Sequence, residues 1–193
     1  MTFSIVPGDR MRDMLGALSP AARGEAERAG AYSLYALVRS HVRRVARRRH
    51  ATSSSLGAEP TRHLEEGARA IVPRGASVDI PIPGFSRVFH AVEVRPRNAR
   101  ALTIPISRIA YGKRAPRLAS EGWRLFRVGT RGGGPGAGVL FGARGGGGPA
   151  TALYLLRAKT VLPQDRSLLP GDEEMQKAAA GGVARAILRR NGA

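Results

Sequence analysis

The spacing of apolar side chains changes near residue 76, from a helical repeat to an alternating one. Before this point they recur every three or four residues, as on one helix face: Leu34, Val38, Val42 and Val45. Ser19 followed by Pro20 is typical of a helix start, with serine as the N-cap and proline at the first helical position. The pattern therefore predicts an N-terminal arm over residues 1–18 and a long helix over 19–50.

Beyond residue 76 the alternation predicts strands, which form a β-rich core over residues 76–163. Val78, Ile80 and Ile82 alternate with Asp79 and Pro81, which predicts a strand that Pro81 and Pro83 confine to an edge or its end. The strands of the main sheet are expected around Val92–Val94, Leu102–Ile106, Trp123–Val128, Val139–Ala143 and Leu153–Thr160. We expect one mainly antiparallel sheet, with the glycine-rich runs as hairpin loops. Its predicted core residues are Leu102, Ile104, Leu125, Leu140, Tyr154 and Leu156. The first helix is expected to pack on this sheet through Leu34, Val38 and Val45.

The chain closes with a further predicted helix over residues 171–190. Gly171 is followed there by three acids, and carboxylates are favourable in the first turn of a helix. Helices, then an antiparallel meander, then a closing helix predict an α+β fold. A length of 193 residues suits a single domain over 1–193.

The charge balance narrows the choice of partners. The chain has 32 arginines and lysines against 14 acids, which gives a formal charge of +18. Such a balance favours nucleic acid, an acidic protein surface or anionic lipid, although a GC-rich genome also inflates arginine usage. The chain has no cysteine, and no apolar run is long enough for a membrane span. We therefore expect a protein made in the cytoplasm that has no membrane partner.

Arginines crowd the last turns of the predicted long helix. No acid occurs between Arg28 and Gly57, and the cluster consists of Arg39, Arg43, Arg44, Arg47, Arg48 and Arg49. These side chains have two possible partners: the phosphates of DNA, or acids of another subunit such as Glu65, Glu66 or Asp172–Glu174. A second basic region poses the same question and contains Arg95, Arg97, Arg100, Arg108, Lys113 and Arg114.

Candidate catalytic and cofactor chemistry is weak. The glycine runs at 132–138 and 145–148 lack the Gly-Lys-Ser/Thr ending of a phosphate-binding loop and are flanked by predicted strands instead of a helix. His41 and His50 lie too far apart for a helical metal site, and His63 has only Glu66 nearby. We expect no catalytic, cofactor-binding or metal site.

Two stretches of the chain resemble a known family. The first is Arg95–Pro105, Arg-Pro-Arg-Asn-Ala-Arg-Ala-Leu-Thr-Ile-Pro, and the second is Leu153–Pro163, Leu-Tyr-Leu-Leu-Arg-Ala-Lys-Thr-Val-Leu-Pro. Together they are similar to the Arg-Pro-x-x-Ala-x-Ala-Leu-x-Ile-Pro block and the closing strand of the phage virion morphogenesis family. That family contains tail completion and neck proteins of Mu-like tailed phages. The order of parts over residues 20–190 is similar as well.

The resemblance implies a non-enzymatic bacteriophage structural protein of the virion. Such a protein forms a homo-oligomeric ring at the head–tail junction, around the DNA channel. Its partners are further copies of the chain, other connector, neck and tail proteins, and packaged DNA through non-specific contact; it is assembled in the host cytoplasm. The alternative is a free, basic protein that binds double-stranded nucleic acid through the arginine helix, and a third reading is an enzyme acting on phosphate-containing substrates.

Overall fold

The computed structural model describes residues 2–4, 9–48, 51–129, 136–145 and 148–191. Helices and strands follow one another there in an α+β order, as predicted. They are β1 (Thr2–Ser4), α1 (Asp9–Gly16), α2 (Pro20–Arg48), α3 (Ala51–Ser55), α4 (His63–Arg69), β2 (Val72–Arg74), β3 (Ser77–Asp79), β4 (Val92–Val94), β5 (Leu102–Pro105), α5 (Ala115–Ser120), β6 (Trp123–Val128), β7 (Gly138–Arg144), β8 (Thr151–Arg157), β9 (Thr160–Leu162) and α6 (Asp172–Asn191). Short 3₁₀ turns cover Phe85–Val88 and Arg166–Leu168.

The contacts of the chain divide into two compact units. The first comprises Met1–Arg49, Arg62–His90 and Gln164–Ala193, and the second comprises His50–Thr61 and Ala91–Pro163. Residues 1–193, which were predicted as a single domain, therefore form two units, each held by its own set of internal contacts. Each set has its own buried cluster.

In the first unit, the predicted cap begins the long helix α2. The backbone N–H of Ala22 donates to Oγ of Ser19 at 3.4 Å, which satisfies one of the free donors at the helix start. α6 packs along the first half of α2. At Gly182 the helices approach so closely that a Cβ would lie 2.5 Å from the carbonyl oxygen of Ala29. Glycine therefore sets the distance between these two helices.

The main core of the first unit lies on the other half of α2. Leu34, Val38 and Val42 are buried against residues that follow α4, namely Ile71, Val78, Ile80, Ile82, Phe85 and Val88, and against Leu168 and Leu169. β3 is the central strand of a small antiparallel sheet with the order β1-β3-β2. Burying a side chain of the size of Val42 contributes about 1.5–3 kcal/mol, so this apolar row holds the helix in place.

The predicted packing of the first helix was wrong in its partner. Leu34, Val38 and the half-buried Val45 belong to the cluster around β3. They do not belong to the cluster of the sheet that contains Tyr154. The strand predicted at Val78 is β3, but it is the central strand of its own small sheet, because Pro81 and Pro83 lie beyond its end at Asp79. The region of β3 supplies the buried apolar surface that occupies this helix face, so the helical stripe was identified correctly but assigned to the wrong sheet.

The second unit contains a four-stranded antiparallel sheet with the order β5-β8-β7-β6. A bulge at Leu140/Phe141 interrupts the pairing of β7 with β8. Because a bulge places two residues opposite one, the consecutive residues Leu153 and Tyr154 are both fully buried in one cluster. Trp123, Leu125 and Leu140 pack against that cluster from the sheet, and Leu118 of α5 lies within it.

The prediction of one sheet was wrong in two details. β4 pairs with β9 in a separate two-stranded ribbon, and the strand predicted to run to Thr160 ends at Arg157. On one side Pro96 lacks an N–H and residues 97–101 form bends; on the other side Ala158 and Lys159 leave the ladder. Of the predicted core, Leu102, Ile104, Leu125 and Leu140 are only half-buried, whereas Tyr154 and Leu156 are buried.

The longer segment of the second unit begins and ends at neighbouring points. Val92 lies opposite Leu162 in the β4–β9 ribbon. In the first unit, Nε2 of Gln164 donates to the carbonyl oxygens of Val88 at 3.2 Å and Phe89 at 2.9 Å. The chain therefore leaves the first unit beside the point at which it returns.

Candidate functional site

The basic end of α2 forms the most strongly charged helical surface of the described residues. Arg44, Arg47 and Arg48 are exposed, and Arg39 and Arg43 are half-buried. At about 100° per residue, these five positions cover roughly one half of the helix circumference, opposite the buried row at Val38 and Val42. Arg49, the last member of the predicted cluster, lies outside the described residues.

Arg39 differs from the other members because its guanidinium is held by an aromatic neighbour. Its Nη1 donates to the hydroxyl of Tyr35, and its Cζ lies 5.6 Å from the centroid of the Tyr35 ring. Its Nε is buried and has no hydrogen-bond partner within the described residues. Arg39 thus covers the ring of Tyr35, a cation–π arrangement.

Arg44 belongs to a chain of hydrogen bonds that reaches the turn before α6. Its Nη2 donates to Nδ1 of His41 at 3.1 Å, and Nε2 of His41 donates to the carbonyl oxygen of Ser167, also at 3.1 Å. Because Nδ1 accepts, the proton of the neutral ring lies on Nε2. The turn is fixed in its own right, since the Arg87 guanidinium lies 3.3 Å from the Asp165 carboxylate. His41 therefore has a structural role here.

The acids proposed as partners do not pair with the arginine cluster inside this chain. In the ranges that the structure describes, no ion pair joins Arg43, Arg44, Arg47 or Arg48 to an acid. Glu66 and the three acids that begin α6 are exposed, and Glu65 is half-buried. The charge of the cluster is therefore available to an external anionic partner.

The second basic region divides into paired and unpaired members. Glu93 accepts from Arg95 at 2.5 Å and from Lys159 at 3.0 Å. The hydrogen bond from Arg95, followed by that from Lys159, lowers the pKa of Glu93. Four further arginines of this region are exposed and make no ion pair among the described residues: Arg97, Arg100, Arg108 and Arg114.

A compact polar group lies beside the buried Tyr154. Lys113 donates to Glu121 at 2.6 Å and Arg117 donates to the same carboxylate at 3.2 Å. The bond from Lys113 is the largest cause of the lowered pKa of Glu121. The Tyr154 hydroxyl donates to the Lys113 carbonyl oxygen at 3.0 Å. Burial, and then the charge of Glu121, raises the pKa of Tyr154. This group ties α5 and the preceding turn to the sheet.

The described residues contain no arrangement suited to metal binding. No three histidines or acids among them lie close enough to hold a metal ion. His63 and Glu66 are both exposed on α4. The glycine runs join β6 to β7 and β7 to β8, which pair in antiparallel fashion, so no helix follows either run. Residues 132–135 and 146–147 of these runs lie outside the described residues.

The two stretches that carry the family resemblance are hydrogen-bonded to each other. In the first stretch, Leu102–Pro105 pairs with Arg157–Tyr154 of the second, and next to them β4 pairs with β9. The alternation of side chains predicted the strands but not this pairing. In comparisons with known proteins, no family model, no curated protein and no solved structure matches this chain. Among the described helices, none has the length and apolar character needed to cross a membrane.

Proposed function

We propose that the protein is a non-enzymatic structural component of a tailed-phage virion, located at the head–tail interface as a tail completion or neck protein. The observation that carries this proposal is the pairing of Leu102–Pro105 with Tyr154–Arg157. These paired strands lie within the two stretches, Arg95–Pro105 and Leu153–Pro163, that resemble the phage virion morphogenesis family. The α+β order of parts supports the same assignment.

The proposed assembly is a closed homo-oligomeric ring around the DNA channel. Contacts in a ring are heterologous, so each copy presents two different surfaces. A chain with a formal charge of +18 repels its own copies at moderate ionic strength. An anionic partner offsets this repulsion, and both packaged DNA and acidic connector proteins supply one. The unpaired arginines of α2 are the residues that we assign to this contact.

The direct test is carried out in the phage or prophage whose genome encodes the chain. An amber codon in this gene is expected to yield DNA-filled heads and free tails, which electron microscopy of the lysate counts separately. Expression of the wild-type chain in trans should restore joined particles. Mass spectrometry of purified virions should detect the protein. Normal joined particles without the protein would refute the proposal.

A second candidate, a free protein that binds double-stranded DNA, is favoured by Arg43, Arg44, Arg47 and Arg48, none of which forms an ion pair within the described ranges. Light scattering with size-exclusion chromatography separates the two candidates. A discrete ring supports the neck protein, whereas a monomer that binds duplex DNA in a salt-dependent way supports the alternative.

Replacement of these four arginines by Gln tests their role in either case. If the four arginines contact phosphates, their replacement weakens DNA binding, and each lost contact reduces the magnitude of the slope of log affinity against log salt by about one. Contact with acidic protein impairs assembly and leaves DNA affinity low. The matched control replaces the four unpaired arginines of the second unit by Gln: Arg97, Arg100, Arg108 and Arg114. Equal effects of both variants would indicate net charge alone, and no effect of either would make the α2 cluster a solvated face.

A further inference from the structure

One face of the four-stranded sheet carries an uninterrupted row of apolar side chains. Val128 lies directly opposite Val139, which lies opposite Leu155, which in turn lies opposite Ile104. Directly opposed residues point to the same face of a sheet, so this row crosses all four strands. Phe126 and Phe141 form a second pair next to it. We call these six residues the apolar face.

The apolar face is accessible at its β6 side. Val128 is 47% exposed and Phe126 is 41% exposed. The rings of Phe126 and Phe141 are nearly parallel at 16°, with centroids 5.9 Å apart, so they stack on each other as one aromatic pair. Exposed apolar side chains that form a contiguous patch with a polar rim mark interaction sites.

Two arginines, Arg124 on β6 and Arg157 on β8, flank the apolar face. Arg124 precedes Phe126 by two positions on β6, and Arg157 follows Leu155 by two positions on β8, so both belong to the same side of the sheet. Both are exposed, and neither forms an ion pair among the described residues. The sequence of residues 91–163 contains two acids, Glu93 and Glu121, and both are already paired with other cations.

The charges disfavour a second copy of the chain as the occupant. None of the four strands of this sheet carries an acid, and a second copy would present the same two arginines, Arg124 and Arg157, at its own face. Two such faces in contact would bring like charges together, which repel each other. Carboxylates of a different partner would be attracted instead.

We propose that the apolar face binds an extended, acidic and apolar segment of another virion protein, with its carboxylates at Arg124 and Arg157. The apolar side chains of that segment cover Phe126 and Val128. This proposal rests on the proposed function, because it places the partner in the virion. It adds a surface, and a class of partner, that the arginine cluster of α2 does not provide.

The test uses the full-length protein in assembled particles. Phe126→p-benzoylphenylalanine is introduced in the phage, and purified virions are irradiated and analysed by mass spectrometry. We expect a cross-link to a different virion protein, at a segment in which Asp or Glu flanks apolar residues. The same replacement at Tyr32, an exposed aromatic residue of α2 (62% exposed), is the control and should not reach that segment.

Charge variants give a second measurement. Arg124→Glu should lower the yield of joined particles about tenfold or more, because reversing one charge of a pair costs over 1.4 kcal/mol. Arg124→Lys should retain most of the yield, and Arg114→Glu, an exposed residue with the same charge change, should have little effect. Circular dichroism verifies that each variant is folded.

The outcomes separate this proposal from the proposed function. Absence of the protein from joined particles overturns both. Presence in particles with a cross-link only to a second copy, to a segment without acids, or to nothing overturns the docking proposal alone. Equal losses from Arg124→Glu and Arg114→Glu would do so as well, because they would show an effect of net charge without the apolar face.

Discussion

The closest approach of α2 and α6 at Gly182 gives the sharpest stability prediction. A Cβ on residue 182 would lie 2.5 Å from both the Ala29 carbonyl oxygen and Oγ of Ser33, whereas ordinary contact begins at 3.4 Å. Gly182→Ala therefore forces α6 away from α2 by about 1 Å, since the backbone of Ala29 cannot turn aside. The shift also weakens the 3.0 Å hydrogen bond from Arg185 to Ser33.

The neighbouring residue provides a matched control. A Cβ on Gly181 meets only the mobile end of Arg185, at 3.5 Å. Both substitutions gain the same helix propensity, about 0.5–1 kcal/mol, so this contribution cancels when the variants are compared. The difference between them is the cost of overpacking, about 1–3 kcal/mol. We expect Gly181→Ala to be slightly more stable than wild type and Gly182→Ala to be less stable.

The assay is urea denaturation followed by circular dichroism at 222 nm, where the two long helices dominate the signal. Equal denaturant slopes for the two variants would show that the change lies in stability and not in the extent of unfolding. If Gly182→Ala were as stable as Gly181→Ala, the close packing of the two helices would be refuted.

Three further predictions concern the second unit. Tyr154→Phe removes the hydrogen bond to the Lys113 carbonyl and should lower the free energy of unfolding by about 1–2 kcal/mol in urea denaturation; an unchanged value would argue against a buried bond. The pKa of Glu121, measured by NMR, should lie below 4.5 and should rise in Lys113→Gln. Because the pKa is lowered in the folded state, the stability that this ion pair contributes is present above the unfolded-state pKa and is lost as the pH falls through the lower folded-state pKa. Gly142→Ala would place a Cβ 2.5 Å from Cδ1 of the buried Leu153. We therefore expect a destabilisation of about 1–3 kcal/mol and altered fluorescence of the sole tryptophan. Unchanged fluorescence would contradict this packing.

Local patterns predicted the helices well because their signals lie within a few residues of one another. The cap at Ser19, the apolar repeat of α2 and the acids that begin α6 placed both long helices within one or two residues of their bounds. Local patterns did not predict which sheet packs on α2, because an apolar stripe has the same appearance whichever sheet covers it. The alternation at Val78 predicted β3, but β2 and β3 have only three residues each, and so short a pattern does not indicate which helix a strand covers.

Long-range pairing explains the remaining differences in the sheet. The alternation rule predicts opposite faces for Leu153 and Tyr154, yet the bulge buries both. Pro96 interrupts the chain between β4 and β5, but the pairing of β4 with β9 depends on residues that lie far apart in the chain, so the local pattern does not predict it. At the candidate site, sequence identified the arginine cluster but not the distinct position of Arg39, which depends on its contact with Tyr35.

The adjacency of Val92 and Leu162, with Gln164 bonded back to Val88 and Phe89, has a consequence for how this chain tolerates change. A segment whose two ends meet can be lengthened, shortened or exchanged without altering the path of the chain on either side, which is the geometry of an inserted cassette. Residues 91–163 meet that condition. An exchanged segment with closely spaced ends would therefore leave the path of the first unit unchanged, provided that it also packs against residues 50–61, which belong to the second unit.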